Sequence, residues 1–313
     1  MTDSLRIVFM GTPDFAVPAL EALLAHHEEV VAVVSQPDRP RGRGRKLAAT
    51  PVKTAAAQAA LTVLQPARIK TDLVRQLAVF NPDLIIVAAY GRILPDAVLT
   101  LPRFGCLNIH ASLLPKYRGA APIQWAILDG AQETGVTIMQ IDSGLDTGDI
   151  LLTGRLTIDS QDTAATLFAK MAKLGGKLII QALDELRAGN LTPQRQDDRL
   201  VSLAPPLSKD ASPIDWHRAA DKISCQIRGL DPWPLAHTTL AGKKLRLFKP
   251  TALKKSGEAV PGTILAADKN GLLIACADGS LLVEEIQLAG SKRMPVAAFI
   301  LGRPLKAGQI LGA

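Results

Sequence analysis

The stretch Asn108-Ile109-His110-Ala111-Ser112-Leu113-Leu114-Pro115 holds residue types able to do chemistry, and it closes the apolar run 105–110, which reads as a strand. Residues two apart on a strand face the same side, so Asn108 and His110 share a face while Ile109 points into the packing. An amide donor beside an imidazole can polarise a carbonyl and hold the oxyanion formed when a nucleophile adds to it. Spacing alone leaves open a merely satisfied polar cluster. A second stretch, Asp142-Ser143-Gly144-Leu145-Asp146-Thr147-Gly148-Asp149, follows another strand pattern and is too rich in glycine and acid for a simple hairpin. A carboxylate from it, close to His110, would fix the tautomer of the imidazole. The alternative, a calcium loop, is disfavoured because the stretch is short and lacks the terminal glutamate of such loops.

The elements that must position these residues alternate along the chain. Strands are predicted at 5–10, 30–34, 84–89, 105–110 and 135–141, and helices at 15–24, 50–60, 71–80, 121–128 and 162–188. Such alternation predicts an α/β fold, a Rossmann-like doubly wound and mostly parallel sheet, over residues 1–189. Residues 36–46 are interrupted throughout by proline and glycine and are expected to form a loop. Gly11-Thr12-Pro13 lacks the second and third glycines of the dinucleotide fingerprint, which counts against a nicotinamide dehydrogenase. Residues 190–206, with Pro193 and Pro205, read as a linker. Beyond it, over 207–313, one amphipathic helix (215–228) precedes short strands at 245–248, 262–266, 272–276 and 280–286, the texture of a small, OB-like β-barrel.

Composition bounds the function classes. The chain has 313 residues, of which 48% are hydrophobic and 21% charged, enough apolar surface for two cored domains and too much for a disordered chain. No apolar run approaches the roughly 18–20 residues of a membrane span, and the first residues do not resemble a secretory signal. Three cysteines far apart (Cys106, Cys225, Cys276) offer neither a disulfide framework nor a zinc site, so a reducing, cytoplasmic setting without bound metal or membrane association is expected. The net charge of +7 is uneven: residues 1–189 carry +1 and residues 190–313 carry +6. Within the first part Arg39, Arg41, Arg43, Arg45 and Lys46 crowd into one segment. Two separated basic concentrations suit two grips on one long polyanion.

Taken together, Gly11-Thr12-Pro13-Asp14-Phe15, the 36–46 loop, Ala88-Ala89-Tyr90-Gly91, Asn108-x-His110-x-Ser112-Leu113-Leu114-Pro115, Arg118-Gly119-Ala120-Ala121-Pro122-Ile123 and Gly144-Leu145-Asp146-Thr147-Gly148 resemble the folate-dependent formyltransferase family. The likeness runs in order and spacing across essentially the whole chain, including Asp215-Trp216 and Pro232-Trp233-Pro234. It implies Asn108, His110 and Asp146 as the catalytic set and 10-formyltetrahydrofolate as co-substrate. The folate is expected on the backbone of Ser112, Leu113, Leu114 and Pro115, its pterin between the segment holding Tyr90 and Gly91 and the loop near Asp142.

The catalytic set is common to the family and does not select an acceptor. The arginine-rich insertion and basic C-terminal domain single out members acting on an aminoacyl-tRNA, so the expected reaction formylates the α-amine of methionine on initiator tRNA. Arg41, Arg43 and Lys46 would wrap the acceptor stem, and Lys243, Lys244, Arg246 and Lys249, with Lys292-Arg293 near a later turn, would meet phosphates. Trp216 and Trp233 are expected in the core, and the protein is expected to be a monomer. The alternatives are formylation of an amine on a sugar nucleotide or ribonucleotide, and non-catalytic RNA binding.

Overall fold

A computed structural model describes residues 4–41, 46–254 and 259–312. Two compact units partition the chain: the first gathers Met1–Pro122, Thr134–Leu156 and Phe168–Ala204, the second Ile123–Glu133, Thr157–Leu167 and Pro205–Ala313.

The first unit is built on β1 (Arg6–Gly11), α1 (Val17–Ala25), β2 (Glu29–Val34), β3 (Arg39–Arg41), β4 (Lys46–Ala48), α2 (Pro51–Gln58), β5 (Val63–Leu64), α3 (Val74–Ala78), β6 (Leu84–Ala88), α4 (Asp96–Leu99), β7 (Cys106–His110) and β8 (Arg118–Gly119). After α5 (Pro122–Leu128), which but for its first residue belongs to the second unit, come β9 (Glu133–Gln140), β10 (Ile150–Thr157), α6 (Ala164–Ala188) and β11 (Leu203–Ala204). Seven strands form one sheet in the order β10-β9-β7-β6-β1-β2-β5. From β5 to β7 every pairing is parallel, and β9 then runs antiparallel to β7. β6 is buried at every position, as its uninterrupted Leu-Ile-Ile-Val-Ala requires of a strand covered on both faces. The chain leaves β1 toward β2 on one side and returns at β6 on the other, which puts the topological switch point between β1 and β6. Ligand crevices of such sheets lie outside the strand carboxyl ends at that point, where Gly11, Ala88 and, one strand over, His110 emerge.

Local chemistry sets several boundaries. Thr50 caps α2 as its sequence signals, its Oγ1 accepting from Lys53 N at 3.1 Å, with Pro51 in the first turn. A Cβ added at Gly175 of α6 would stand 2.7 Å from Ile109 Cγ2, so this glycine lets α6 lie directly on the face of β7 that carries Ile109. Residues 36–46 are not wholly loop, since β3 and β4 pair as a short antiparallel ribbon with Arg41 opposite Lys46. Pro40 is tolerated because both strands of an isolated ribbon are edges.

Of the segment expected as a linker, 190–206, residues 190–204 are built into the first unit rather than crossing freely. Gln194 bridges to Ile150, and β11 pairs with β8 through Leu203–Arg118 and Ala204–Gly119.

In the second unit α7 (Ala220–Gly229) precedes β12 (His237–Leu240), β13 (Lys243–Leu253), β14 (Ile264–Asp268), β15 (Gly271–Ala275), β16 (Ser280–Leu288), β17 (Met294–Pro295) and α8 (Val296–Gly302). The antiparallel sheet runs β12-β13-β16-β15-β14, with β17 beside β16. Its inward residues, among them Leu245, Leu247, Ile274, Val283 and Ile286, join Trp216 and Ile223 in one core. Among the described residues the edge strands β12 and β14 do not pair with each other; the C-terminal tail joins them. Leu311 N donates to Gly262 O at 2.9 Å beside β14, and Gly312 N donates to Thr239 O at 3.0 Å on β12. Trp216 is in the core as expected, but Trp233 is not: it is 53% exposed. Its neighbours Pro232 and Pro234 deny it the regular helix or strand that would turn it inward.

The three cysteines are buried and unpaired, and burial pushes Cys106 up to about 12 and Cys276 up to about 11. Thiols so raised stay protonated and unreactive near neutral pH. No helix among the described residues is long and apolar enough to cross a membrane.

Candidate active site

Asn108 lies within β7, flanked by Val87 of β6 and Met139 of β9, and His110 ends the strand. His110 is buried and Asn108 partly exposed. The Asn108 side chain makes no hydrogen bond among the described residues, which leaves its two amide donors for a ligand.

His110 sits between two oxygens. Its Nε2 lies 3.1 Å from the Tyr117 carbonyl, so Nε2 carries a hydrogen and donates, and its Nδ1 lies 3.6 Å from Asp146 Oδ1. The second distance exceeds a hydrogen bond, so Nδ1 is held toward the carboxylate without being consumed by it. Two distant stretches of sequence thus meet.

Asp146 is itself fixed from three sides. It adopts a left-handed backbone with φ of 53°. Its Oδ2 accepts from Gly119 N at 2.8 Å, and its carbonyl accepts from Gln196 Nε2, also at 2.8 Å. Gly119 must be glycine: at φ of 126° an added Cβ would stand 2.7 Å from Ala204 O across the β8–β11 pair. Gln196 is 5% exposed and fully used. It donates a second bond to Gly148 O at 2.7 Å, and its Oε1 accepts from Arg118 Nε and Nη2 at 3.0 and 2.8 Å. Tyr117, whose carbonyl meets His110, donates its own N–H to Ser202 Oγ at 2.9 Å. Sequence reasoning missed Arg118, Gln196 and Ser202 as site residues. Arg118 stood in one of the motifs that carry the family likeness; for Gln196 and Ser202 the signal was the run 194–202, which carries no periodicity to distinguish wall from linker.

The expected folate residues divide. Ser112 is buried and its Oγ donates to Lys116 O at 2.6 Å. Thr137 Oγ1 donates to Ser112 O at 2.7 Å and accepts from Leu114 N at 3.1 Å. The Leu114 amide is therefore spent inside the protein and does not face a ligand as expected; the turn through Pro115 closes on itself and delivers the Tyr117 carbonyl to His110. Leu113 packs toward Gly135, where an added Cβ would be 2.6 Å from Leu113 Cδ2. The Tyr90 ring is buried among Ile69, Leu73 and Leu94, its hydroxyl without a partner among the described residues, and burial raises that phenol above its ordinary value. The Tyr90 carbonyl accepts from Thr12 Oγ1 and Gln36 Nε2 at 3.1 and 2.8 Å, and Gly91 O accepts from the same Gln36 nitrogen at 3.3 Å. Asp142 is exposed and engaged with Gly144 N and Thr147 Oγ1 of its own loop.

Two cavities lie within the first unit. One of about 400 Å³ is lined by residues of the Asp146 loop, Asp142, Thr147 and Gly148 among them, together with Arg195 and Gln196. The other, a groove of about 650 Å³, runs over Ile69, Ile93, Leu94 and Pro95 between Arg68 and Arg92.

Of the basic loop, Arg41 and Lys46 pair backbone to backbone, and Arg43 lies outside the described residues. The foot of this loop is anchored. Lys53 Nζ donates to Asp38 Oδ2 at 2.7 Å and to Gln65 Oε1 at 2.8 Å, while Gln65 Nε2 reaches Asp38 Oδ1 and Gln36 O. Bonds from Lys53 and Gln65 hold the Asp38 carboxyl below its usual range. In the second unit Lys243 and Lys244 are exposed and Arg246 is partly so. Lys249 and Arg293 are not free for a polyanion: both bond Glu285 at 2.6 Å, and Arg293 lies 3.9 Å over the Phe248 ring.

Comparison with known proteins decides the family. Residues 5–183 match the formyl transferase family and residues 206–304 match the formyl transferase C-terminal domain. The chain belongs to the formyl transferase family. A methionyl-tRNA formyltransferase of Desulfotalea psychrophila is 52% identical over 309 residues, covering 98% of this chain and 96% of that protein. One from Geobacter metallireducens is 48% identical, covering 98% and 99%. In fold, this formyl transferase is similar to an N-formyltransferase of Helicobacter canadensis solved with folinic acid and dTDP-3-aminofucose. That likeness has a TM-score of 0.68 at 20% identity and covers 93% of this chain and 100% of that one.

Proposed function

We propose that this formyl transferase moves the formyl group of 10-formyltetrahydrofolate to the α-amine of methionine esterified to initiator tRNA, acting in the cytoplasm. The observation that carries the reading is an unbonded Asn108 amide on the strand face that ends in His110, with His110 held against Asp146. Two full-length relatives at 52% and 48% identity, both named for methionyl-tRNA, support the acceptor.

In the reaction the neutral amine attacks the formyl carbon, a C–N bond forms and negative charge gathers on the formyl oxygen. Asn108 Nδ2 donates to that oxygen. His110, as an imidazolium with a hydrogen on each ring nitrogen, donates from Nδ1 beside it, while Nε2 stays on Tyr117 O and keeps the ring from turning. As the intermediate collapses, the C–N10 bond breaks and the proton lost by the amine passes to N10, with Asp146 and His110 as its path. The carboxylates of the folate tail suit the groove lined by Arg68 and Arg92 together with Ile69, Ile93, Leu94 and Pro95. The Asp142–Thr147 loop and the turn at Tyr90–Gly91 offer the polar edges for the pterin.

The test mixes enzyme and 10-formyltetrahydrofolate with charged initiator tRNA, free methionine or an amino-sugar nucleotide. Formylation of the charged tRNA alone is the expected result. Transfer to the sugar nucleotide, or to no acceptor, would overturn the assignment.

A further inference from the structure

β12 and β13 form an antiparallel ribbon in which His237 stands opposite Arg246 and Thr239 opposite Lys244. Opposed residues of such a pair share one face, and those two apart on a strand share it too. His237, Lys244 and Arg246 therefore occupy the outer face, since the intervening Thr238, Leu245 and Leu247 are buried. Across Arg246, β16 places Gln287, whose Oε1 accepts from Arg246 Nη1 at 3.0 Å. On the far side of β12, Pro213 bridges to His237; two residues on, Asp215 Oδ1 accepts from His217 N at 3.0 Å. Among the described residues the tail reaches β12 through Gly312 N, which donates to Thr239 O at 3.0 Å.

Among the described residues the cations on the face of His237 are thus Lys244 and Arg246, beside the neutral Gln287, with the carboxylate of Asp215 beyond the Pro213 bridge and bonded to His217. Burial and, after it, the Lys244 charge hold this imidazole below the ordinary histidine value, with Arg246 adding to the effect and a bond to the Leu235 backbone opposing it. Like charges gathered on one strand-pair face are unfavourable unless an anion joins them.

We propose that His237, Lys244 and Arg246 form a phosphate-binding site for a phosphodiester of the RNA acceptor, and that its occupation draws a proton onto His237. The inference rests on the tRNA reading above and adds where, and with what linkage, the second unit holds the RNA. A phosphate between the three groups favours the charged imidazole, so the value for His237 rises on binding. Between the free and bound values the complex holds more protons than the free protein. Affinity then strengthens as pH falls through the bound value and levels off below the free one. Each unit of that rise is about a tenfold gain in affinity across the window.

The experiment is calorimetric titration of the full-length protein with deacylated initiator tRNA in buffers of different ionisation enthalpy, from pH 5.5 to 8. Uptake of up to one proton near pH 6.5 is expected. His237→Asn should abolish the uptake and flatten the pH dependence, with thermal unfolding confirming that it folds. Arg246→Gln should lower the salt slope of binding by about one. RNA binding without proton uptake, or uptake retained in His237→Asn, overturns this site while the acceptor assay still stands. Sulfate, which does not titrate in this range, serves as a free-anion control: equal uptake with sulfate that RNA does not compete away would overturn the nucleic-acid assignment.

Discussion

Gln196 donates to two carbonyls of the Asp146 loop and accepts two bonds from Arg118, so its side chain has no capacity left for a substrate. It is a positioning residue, acting through Asp146. Replacing it with leucine strands buried carbonyls and a guanidinium, each at about 1–3 kcal/mol, and frees the loop. In single-turnover assays Gln196→Leu should slow transfer about tenfold or more, whereas Asn108→Ala should slow it by about 10²–10³, the usual cost of an oxyanion donor. A merely structural role predicts that Gln196→Leu slows an Asp146→Asn enzyme as much as the wild type. Action through Asp146 predicts little further loss in that background, and the double-mutant cycle separates the two.

At the scale of elements, the second unit depends on a segment that carries almost no pattern. Residues 308–312 add backbone bonds to Ile264, Gly262 and Thr239, and Leu311 is 2% exposed in the shared core. Leu311→Ala should cost about 2–5 kcal/mol by the usual range for buried leucines. Calorimetry should then show the transition of the second unit moving to lower temperature; an unchanged transition would mean the tail is not what joins β12 to β14. The tail also shows what the sequence could reveal. Long apolar runs such as Leu84–Ala88, and the Thr50-Pro51 cap, are legible because burial and capping leave local signatures. The meeting of His110 with Asp146, on the strand that carries Asn108, was legible by type and family likeness. The 194–204 wall was not, because it is joined by one glutamine, one bridge and a two-residue strand, none long enough to show a period. The Leu114 amide was misjudged for a related reason: its partner, Thr137, is 23 residues away.

Across the whole molecule, the count of positive charges and their placement make different predictions. Residues 190–313 carry +6, yet Lys249 and Arg293 are bonded to Glu285, and Arg293 also lies 3.5 Å from Asp231. Their charge is largely answered within the protein. Lys243 stands exposed where β13 begins, opposite Leu240 at the end of β12, and no bond to the described residues competes for its ammonium. Binding of a polyanion releases roughly 0.7–0.9 counterions per phosphate neutralised, so the slope of log affinity against log salt counts only the cations that reach phosphates. Lys243→Ala should lower that slope by about one for charged tRNA and leave the KM for folate unchanged. Arg293→Ala should lower thermal stability through the lost Glu285 and Phe248 contacts while moving the salt slope little. If Arg293→Ala reduced the slope as much as Lys243→Ala does, the grip would follow net charge rather than the free face of the ribbon.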